Sequence, residues 1–285
     1  MKRFDRSQLP FRKEMTEEWN NNGFLVIENF YSNGECDNLK NKADLLVENF
    51  EPKSIKSIFD TKKQEHVEDT YFLESGDKIR FFFEDKAFDQ NGNLVNKKKL
   101  VINKIGHALH DLDDDFYKFS HRGDLDQIVK AIGIKNPLLI QSMYIFKQPN
   151  IGGEVVCHQD STFLYTDPDT VIGFWVALEN ATIENGCLWV ASGGHKGPLR
   201  KLFTKENNKM KMIILDQTPF EKTDIAVEVE KGTLVLLHGR LPHYSCENIS
   251  DKSRHAYTLH VIDGDKRYPK ENWLQRTNLE LKGFI

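Results

Sequence analysis

The stretch GGEVVCHQDSTFLYTD, residues 152–167, decides how the rest of the chain is read. In its middle a histidine and an aspartate stand two apart, His158-Gln159-Asp160, with apolar residues on both sides. If the segment is a strand, successive side chains alternate faces, and His158 and Asp160 share one. On an inner face an imidazole and a carboxylate would be buried together. That burial is costly unless a metal ion or a proton joins them. The pair is the first candidate metal site, and its setting is the first clue to a β-rich fold.

Working outward, the chain after Pro137 reads as strands punctuated by Gly, Asn and Asp. The runs are LLIQSMYIFKQ, GEVVCHQD, TVIGFWVALEN, GCLWVAS, KMIILDQ, IAVEVEKGTLVLLHG and RHAYTLHVID. Many short strands at this spacing predict a sandwich or barrel. The front of the chain reads differently. GFLVIENF (23–30) is short, apolar and β-branched, which predicts a strand. Ser32 and Glu35 have the spacing of a capping box, and Cys36, Leu39, Ala43, Leu46, Val47 and Phe50 recur at helical spacing behind them. One helix is expected to run to about residue 50. A polar stretch, 51–71, follows it. Residues 72–88 read as a hairpin turning at Ser75-Gly76-Asp77, and residues 100–117 as a helix. No repeat, low-complexity tract or flexible linker divides the chain. One domain over 1–285 is expected, mainly β with flanking helices: a helical N-terminal part (about 1–135) packed on a β-barrel core (about 136–265).

The bulk properties narrow the function. The chain has 285 residues, 39% apolar and 29% charged, with a net charge of −4. Such a balance gives no reason to expect nucleic acid or an anionic membrane as partner. No apolar run approaches the roughly 20 residues of a membrane span. The start, MKRFDRSQLPFRKEM, lacks the apolar core of a secretory signal, and the end, LELKGFI, is not an SKL- or KDEL-type tail. A cytoplasmic monomer acting on a small molecule is expected. The four cysteines, Cys36, Cys157, Cys187 and Cys246, form no CxxC pair and are expected as reduced thiols.

A metal on His158 and Asp160 needs a third ligand. His66, His107, His110, His121 and His195 lie outside the strand pattern or in turns. His107 and His110 could share a metal if both lay on one helix, but nothing at matching spacing supports it. His238, His243, His255 and His260 remain, in LVLLHGRLPHYSCENISDKSRHAYTLH (234–260). In that segment Arg254 opens an otherwise apolar and aromatic strand. A guanidinium entering a barrel keeps its charge and calls for an anion, best a carboxylate bound through two parallel hydrogen bonds. Two histidines and one carboxylate on one side of an open metal form the facial triad of non-haem Fe(II) oxygenases.

At these residues the sequence resembles a known family. His158-x-Asp160, His243 and Arg254, eleven residues further on, are similar to the phytanoyl-CoA dioxygenase family of Fe(II)/2-oxoglutarate enzymes. The runs QSMYIFKQPNIGGEVVCHQDSTFLYT, ENATIENGCLWVASGGHK, NISDKSRHAYTLH and ENWLQR carry the likeness, which covers nearly the whole chain. The resemblance implies a double-stranded β-helix, a jelly-roll barrel of cupin type with the metal in its mouth. It selects His243 as the distal ligand, so His158, Asp160 and His243 would hold Fe(II). His238 would then be a strand-end residue with a structural hydrogen bond, and His255 and His260 would lie beyond the ligand set. The far carboxylate of 2-oxoglutarate would meet Arg254, with Ser245 as a second donor. Lys104, Met143 and Trp175 would line the co-substrate pocket.

What the resemblance implies for activity is oxidative decarboxylation of 2-oxoglutarate with O2 and hydroxylation of an aliphatic C–H. A carboxylate at Asp160 favours hydroxylation over halogenation. A cupin-like metalloenzyme that does not use 2-oxoglutarate, or a non-catalytic metal or 2-oxoglutarate binder, would share the metal ligands. The cupin-like metalloenzyme would have no need of a buried carboxylate clamp at Arg254, and the intact triad argues against the non-catalytic binder. Acyl-CoA is possible but not favoured as substrate. It would need basic groups for its phosphates, with Lys97, Lys98 and Lys99 or Lys196, Arg200 and Lys201 as the candidates.

Overall fold

Two β-sheets face each other across a shared core and set the site between them. The computed structural model describes residues 1–52, 57–58, 69–207 and 209–285; His66 and much of the polar stretch after the first long helix lie outside them. The strands are β1 (Arg3–Asp5), β2 (Phe24–Glu28), β3 (Ile79–Phe83), β4 (Ile102–His107), β5 (Pro137–Ile145), β6 (Val155–His158) and β7 (Ile172–Ala177). They continue with β8 (Leu188–Val190), β9 (Lys201–Glu206), β10 (Lys209–Ile214), β11 (Ile225–Val227), β12 (Leu234–His238), β13 (His243–Ser245) and β14 (Ala256–Asp263). The larger sheet runs β1-β2-β12-β7-β14-β5-β4-β3, the smaller β11-β8-β13-β6, and β9 and β10 pair as a hairpin. The architecture is the expected jelly roll.

Side-chain alternation builds the two faces of the larger sheet. Phe24, Val26, Trp175, Ala177, Val235 and Leu237 pack toward the smaller sheet, against Leu188, Val190 and Val227. Their neighbours Leu25, Ile27, Phe174, Val176, Leu234 and Leu236 pack on the other side. Helices α1 (Lys13–Asn22), α2 (Asn33–Asn49), α5 (Asp114–Ser120) and α6 (Gly123–Ala131) cover that outer face with Met15, Trp19, Leu39, Phe116 and Ile128. A strand buried on both faces has no polar side to show, which is why β7 and β12 read as unbroken apolar runs.

The front half holds more strand than the sequence predicts. β2 and α2 are where they are expected, and α2 has its capping box, with Ser32 and Glu35 exchanging hydrogen bonds. But β1, β2, β3 and β4 all join the larger sheet, and β4 pairs with β5 across residue 135. The helix expected over 100–117 is replaced by β4 and two short helices, α4 (Leu109–Leu112) and α5. Every residue of β4 is buried, so no two-residue alternation distinguishes it from a helix. The hairpin expected over 72–88 is absent as well. Thr70–Leu73 forms a short helix, α3, whose first turn is capped by the Asp69 carboxylate accepting from the Phe72 amide at 3.1 Å. β3 pairs with β4 instead. The β9 strand, rich in Lys and Glu, is not evident in the sequence.

Candidate metal centre

Antiparallel pairing of β6 with β13 sets His158 directly opposite His243. Asp160 arrives by another route than the strand alternation expected for it. β6 ends at His158, and Asp160 has helical dihedrals (φ −61°, ψ −35°) at the start of α7 (Ser161–Leu164). Between them Gln159 is fully buried. Its amide donates to Pro198 O at 3.1 Å and Arg240 O at 2.8 Å and accepts from Arg200 N at 2.9 Å. This anchor fixes the turn that swings the carboxylate back over the two imidazoles.

The result is one cluster of His158, Asp160 and His243 with ligand atoms all within 4.8 Å of one another, the one such three-residue group among the described residues. Asp160 Oδ1 lies 3.5 Å from His158 Nε2 and 3.7 Å from His243 Nε2. The other ring nitrogens face carbonyls: His158 Nδ1 is 2.9 Å from Val156 O and His243 Nδ1 is 3.0 Å from Leu241 O. A carbonyl only accepts, so each Nδ1 carries the proton and each Nε2 presents its lone pair inward. Burial, then the neighbouring His158, lowers the His243 pKa to about 4, which keeps the ring neutral and able to ligate. Burial opposes ionisation of Asp160, but His243 and His260 outweigh it and hold the carboxyl well below its usual range. The donor set, two imidazoles and a carboxylate on one side, suits a divalent transition metal with open positions.

His260 is a neighbour that the sequence reading placed outside the ligand set. It is not a ligand by geometry, yet its Nε2 lies 3.3 Å from Asp160 Oδ2. Gly173 on β7 makes room for that oxygen: a Cβ there would stand 2.9 Å from Oδ2.

A cavity of about 280 Å³ opens beside the triad, near the lower end of the ~300–1,000 Å³ usual for small-molecule pockets. All eight residues expected at the site line it: His158, Asp160, His243, Arg254, Ser245, Lys104, Met143 and Trp175. Arg254 is 2% exposed and its guanidinium carbon sits 5.3 Å from the Trp175 ring centre. Its Nε donates to Gly186 O at 3.1 Å, and its buried Nη1 has no partner among the described residues. Burial lowers its pKa to about 10, far above neutrality, so the charge remains. Asp263, a possible internal partner, accepts instead from the amides of Lys135, Asn136 and Asp265. Lys104 stands on β4, not on a helix, and is buried with its Nζ 3.6 Å from Met143 Sδ. The sequence reading missed Lys147, also buried at this end, whose Nζ donates to Ser245 Oγ at 3.0 Å.

Four of the other described histidines have structural hydrogen-bond partners. His238 Nδ1 accepts from Arg240 N at 3.1 Å at the end of β12. His255 Nδ1 meets Tyr144 OH at 2.7 Å. His107 and His110 do not share a helix; their Nδ1 atoms meet Ser75 Oγ at 2.6 Å and Ser142 Oγ at 2.8 Å. His195 sits in a tight turn, Gly194–Lys196. All four cysteines are free.

Comparison with known proteins bears on the family and the fold. The family model described as Phytanoyl-CoA dioxygenase (PhyH) matches residues 19–256. A phytanoyl-CoA dioxygenase of Arabidopsis thaliana is 47% identical over 261 residues, covering 90% of this chain and 91% of that protein. The phytanoyl-CoA dioxygenase domain-containing protein 1 homolog of Dictyostelium discoideum is 43% identical, covering 94% and 97%. The crystal structure of EctD from S. alaskensis with 2-oxoglutarate and 5-hydroxyectoine superposes with a TM-score of 0.62 at 17% identity, over 98% of this chain and 86% of that one, a likeness of fold. With a family model spanning most of its length and relatives of this identity, the chain belongs to the phytanoyl-CoA dioxygenase family and is a 2-oxoglutarate-dependent dioxygenase that uses iron.

Proposed function

We propose that His158, Asp160 and His243 hold Fe(II), that 2-oxoglutarate sets its far carboxylate on Arg254 and Ser245, and that the enzyme hydroxylates an aliphatic C–H of a small molecule. The observation that carries this reading is Arg254: a buried guanidinium with an unpartnered Nη1, lining the same cavity as the triad. A buried guanidinium N–H without an acceptor is unfavourable, and a bound carboxylate supplies the missing acceptor. When bound, iron and its co-substrate supply the oxidation, in which O2 and 2-oxoglutarate yield succinate and CO2 and one oxygen atom enters the C–H bond.

The chain's own groups do the rest. The two imidazoles and Asp160 Oδ1 bind from one side and leave the cavity side free. Trp175 supports the Arg254 guanidinium with its ring face. Lys104, whose charged form is disfavoured by burial, gains from a carboxylate nearby, and Met143 packs beside it. Part of the cavity wall is aromatic and apolar, with Phe163, Phe203, Met212, Phe220 and Trp273. Such a wall excludes water and suits a substrate whose reacting carbon is apolar. Acyl-CoA fits less well. Arg200 is buried and donates to Thr218 O, Pro198 O, Pro219 O and Glu221, so it is not free for a phosphate.

The test is succinate formation that requires both Fe(II) and 2-oxoglutarate, followed by a search of a metabolite extract for products that require both. No succinate from protein that binds both would point to a binding role. Failure to bind 2-oxoglutarate would point to a different metalloenzyme.

A further inference from the structure

Lys147 has no part in the reading above, yet it is the second cation at the Arg254 end of the cavity. It follows β5 with φ 41°, in the left-handed region that non-glycine residues seldom adopt, and is 2% exposed. Its Nζ donates to Gly153 O at 2.6 Å and to Ser245 Oγ at 3.0 Å. Gly186 holds both cations in place. Its carbonyl accepts from Arg254 Nε, and a Cβ on it would stand 2.7 Å from Lys147 Cε. Gly186 has φ +84°, so glycine serves the backbone there too.

Two features make Lys147 more than a strut. An ammonium can only donate, so Ser245 Oγ must accept from it. The hydroxyl proton of Ser245 is thereby left for another acceptor, and among the described residues Ser245 Oγ makes this one hydrogen bond. Charge gives the second feature. Lys147 and Arg254 are buried together, with Glu84 as the buried carboxylate beside them. Glu84 Oε2 already accepts from Asn103 Nδ2 at 2.8 Å and Gly153 N at 3.1 Å. Two cations against one carboxylate leave room for one more anion.

We propose that Lys147 completes a carboxylate clamp: by donating to Ser245 it turns the hydroxyl proton toward the far carboxylate of the 2-oxo acid, and its charge makes the clamp select a dicarboxylate. This rests on the reading that the far carboxylate of 2-oxoglutarate lies at Arg254. The ligand end at the metal is common to all 2-oxo acids, so selectivity for the second carboxylate belongs to this end alone.

The experiment titrates Mn(II)-loaded protein with 2-oxoglutarate and with 2-oxopentanoate, which has a methyl in place of the far carboxylate. Wild type should bind 2-oxoglutarate far more tightly. Lys147→Met should weaken 2-oxoglutarate by about tenfold or more, leave Mn(II) affinity unchanged, and leave 2-oxopentanoate unchanged or improved. Ser245→Ala should weaken 2-oxoglutarate in the wild type and add little in the Lys147→Met background. A Lys147→Met protein that keeps the wild-type ratio of the two affinities overturns the proposal, as do fully additive losses. Lys147→Gln, which keeps a donor and removes the charge, covers the case in which the methionine variant does not fold; the same ratio and the same two outcomes apply. If wild-type protein binds Mn(II) but no 2-oxo acid, the underlying co-substrate reading fails first.

Discussion

His260 Nε2 lies 3.3 Å from Asp160 Oδ2, while Asp160 Oδ1 is the oxygen within 3.7 Å of both other imidazoles. The two carboxylate oxygens thus have different partners. A carboxylate only accepts when ionised, so His260 donates through Nε2, and its buried Nδ1, without a partner among the described residues, is then a lone pair and not a stranded N–H. One oxygen of Asp160 is tied back toward β14, and the other is left to face a metal.

It follows that His260 positions Asp160 without touching the metal. His260→Ala should weaken Mn(II) binding by about tenfold to a hundredfold, the usual effect of losing such a supporting partner, and leave the 2-oxoglutarate affinity of the metal-saturated protein near wild type. His260→Gln, which keeps a donor, should recover part of the loss. Metal titration with and without 2-oxoglutarate separates these effects; equal Mn(II) affinity in all three proteins would exclude a positioning role.

Arg254 should show the opposite pattern. A charge-assisted pair with a carboxylate contributes about 1.5–3 kcal/mol, so Arg254→Ala should weaken 2-oxoglutarate by roughly one to two orders of magnitude or more and leave Mn(II) binding intact. Arg254→Lys should not restore it, because a point charge replaces two parallel donors over Trp175. If both variants lose thermal stability and keep 2-oxoglutarate affinity, the arginine is a brace and not a clamp.

Much of the site was legible because metal chemistry demands particular residue types at close sequence spacing. His158 and Asp160 announce themselves two apart, and the spacing of His243 to Arg254 completes the resemblance. The route was less legible than the outcome. Asp160 faces the histidines because Gln159 anchors a turn into α7, not because a strand alternates. β4 hides its strand character because both its faces are buried, and with it the true setting of Lys104. His260 and Lys147 acquire their roles from partners 100 and 98 residues away. No local pattern in the sequence records such a contact; only a lysine set in the apolar run YIFK hints at Lys147.

The two histidines that flank Arg240 make a sharp pair for mutation. His243→Ala, like His158→Ala and Asp160→Ala, should abolish specific metal binding and 2-oxoglutarate turnover while the fold persists, since these side chains meet at a cavity and not in the apolar core. His238→Ala should keep activity at a reduced level, because it loses a hydrogen bond to Arg240 N at the end of β12, worth about 1 kcal/mol. Circular dichroism and metal titration on the four variants decide it. Normal turnover by His243→Ala with a dead, folded His238→Ala would reverse the assignment.

Lys147 also predicts a pH dependence whose sign follows from burial. Its pKa is lowered to about 7, first by burial and next by the charge of Arg254, with Glu84 and Glu154 offsetting part of the effect. In the unfolded chain a lysine titrates near ~10.4. Between about pH 7 and that value the unfolded state holds a proton that the native state has released, so this group makes stability rise with pH. Below pH 7 both states hold the proton, and the cost of two adjacent buried cations is fully expressed. A bound dicarboxylate changes the balance, because an anion beside Lys147 favours its charged form. Binding then takes up a proton above pH 7, and affinity falls as pH rises. From pH 6.5 to 8.5 the melting temperature without ligand should rise more in wild type than in Lys147→Met, and 2-oxoglutarate affinity in the presence of Mn(II) under nitrogen should fall in wild type and stay flat in the variant. Parallel curves for the two proteins would show that another group titrates.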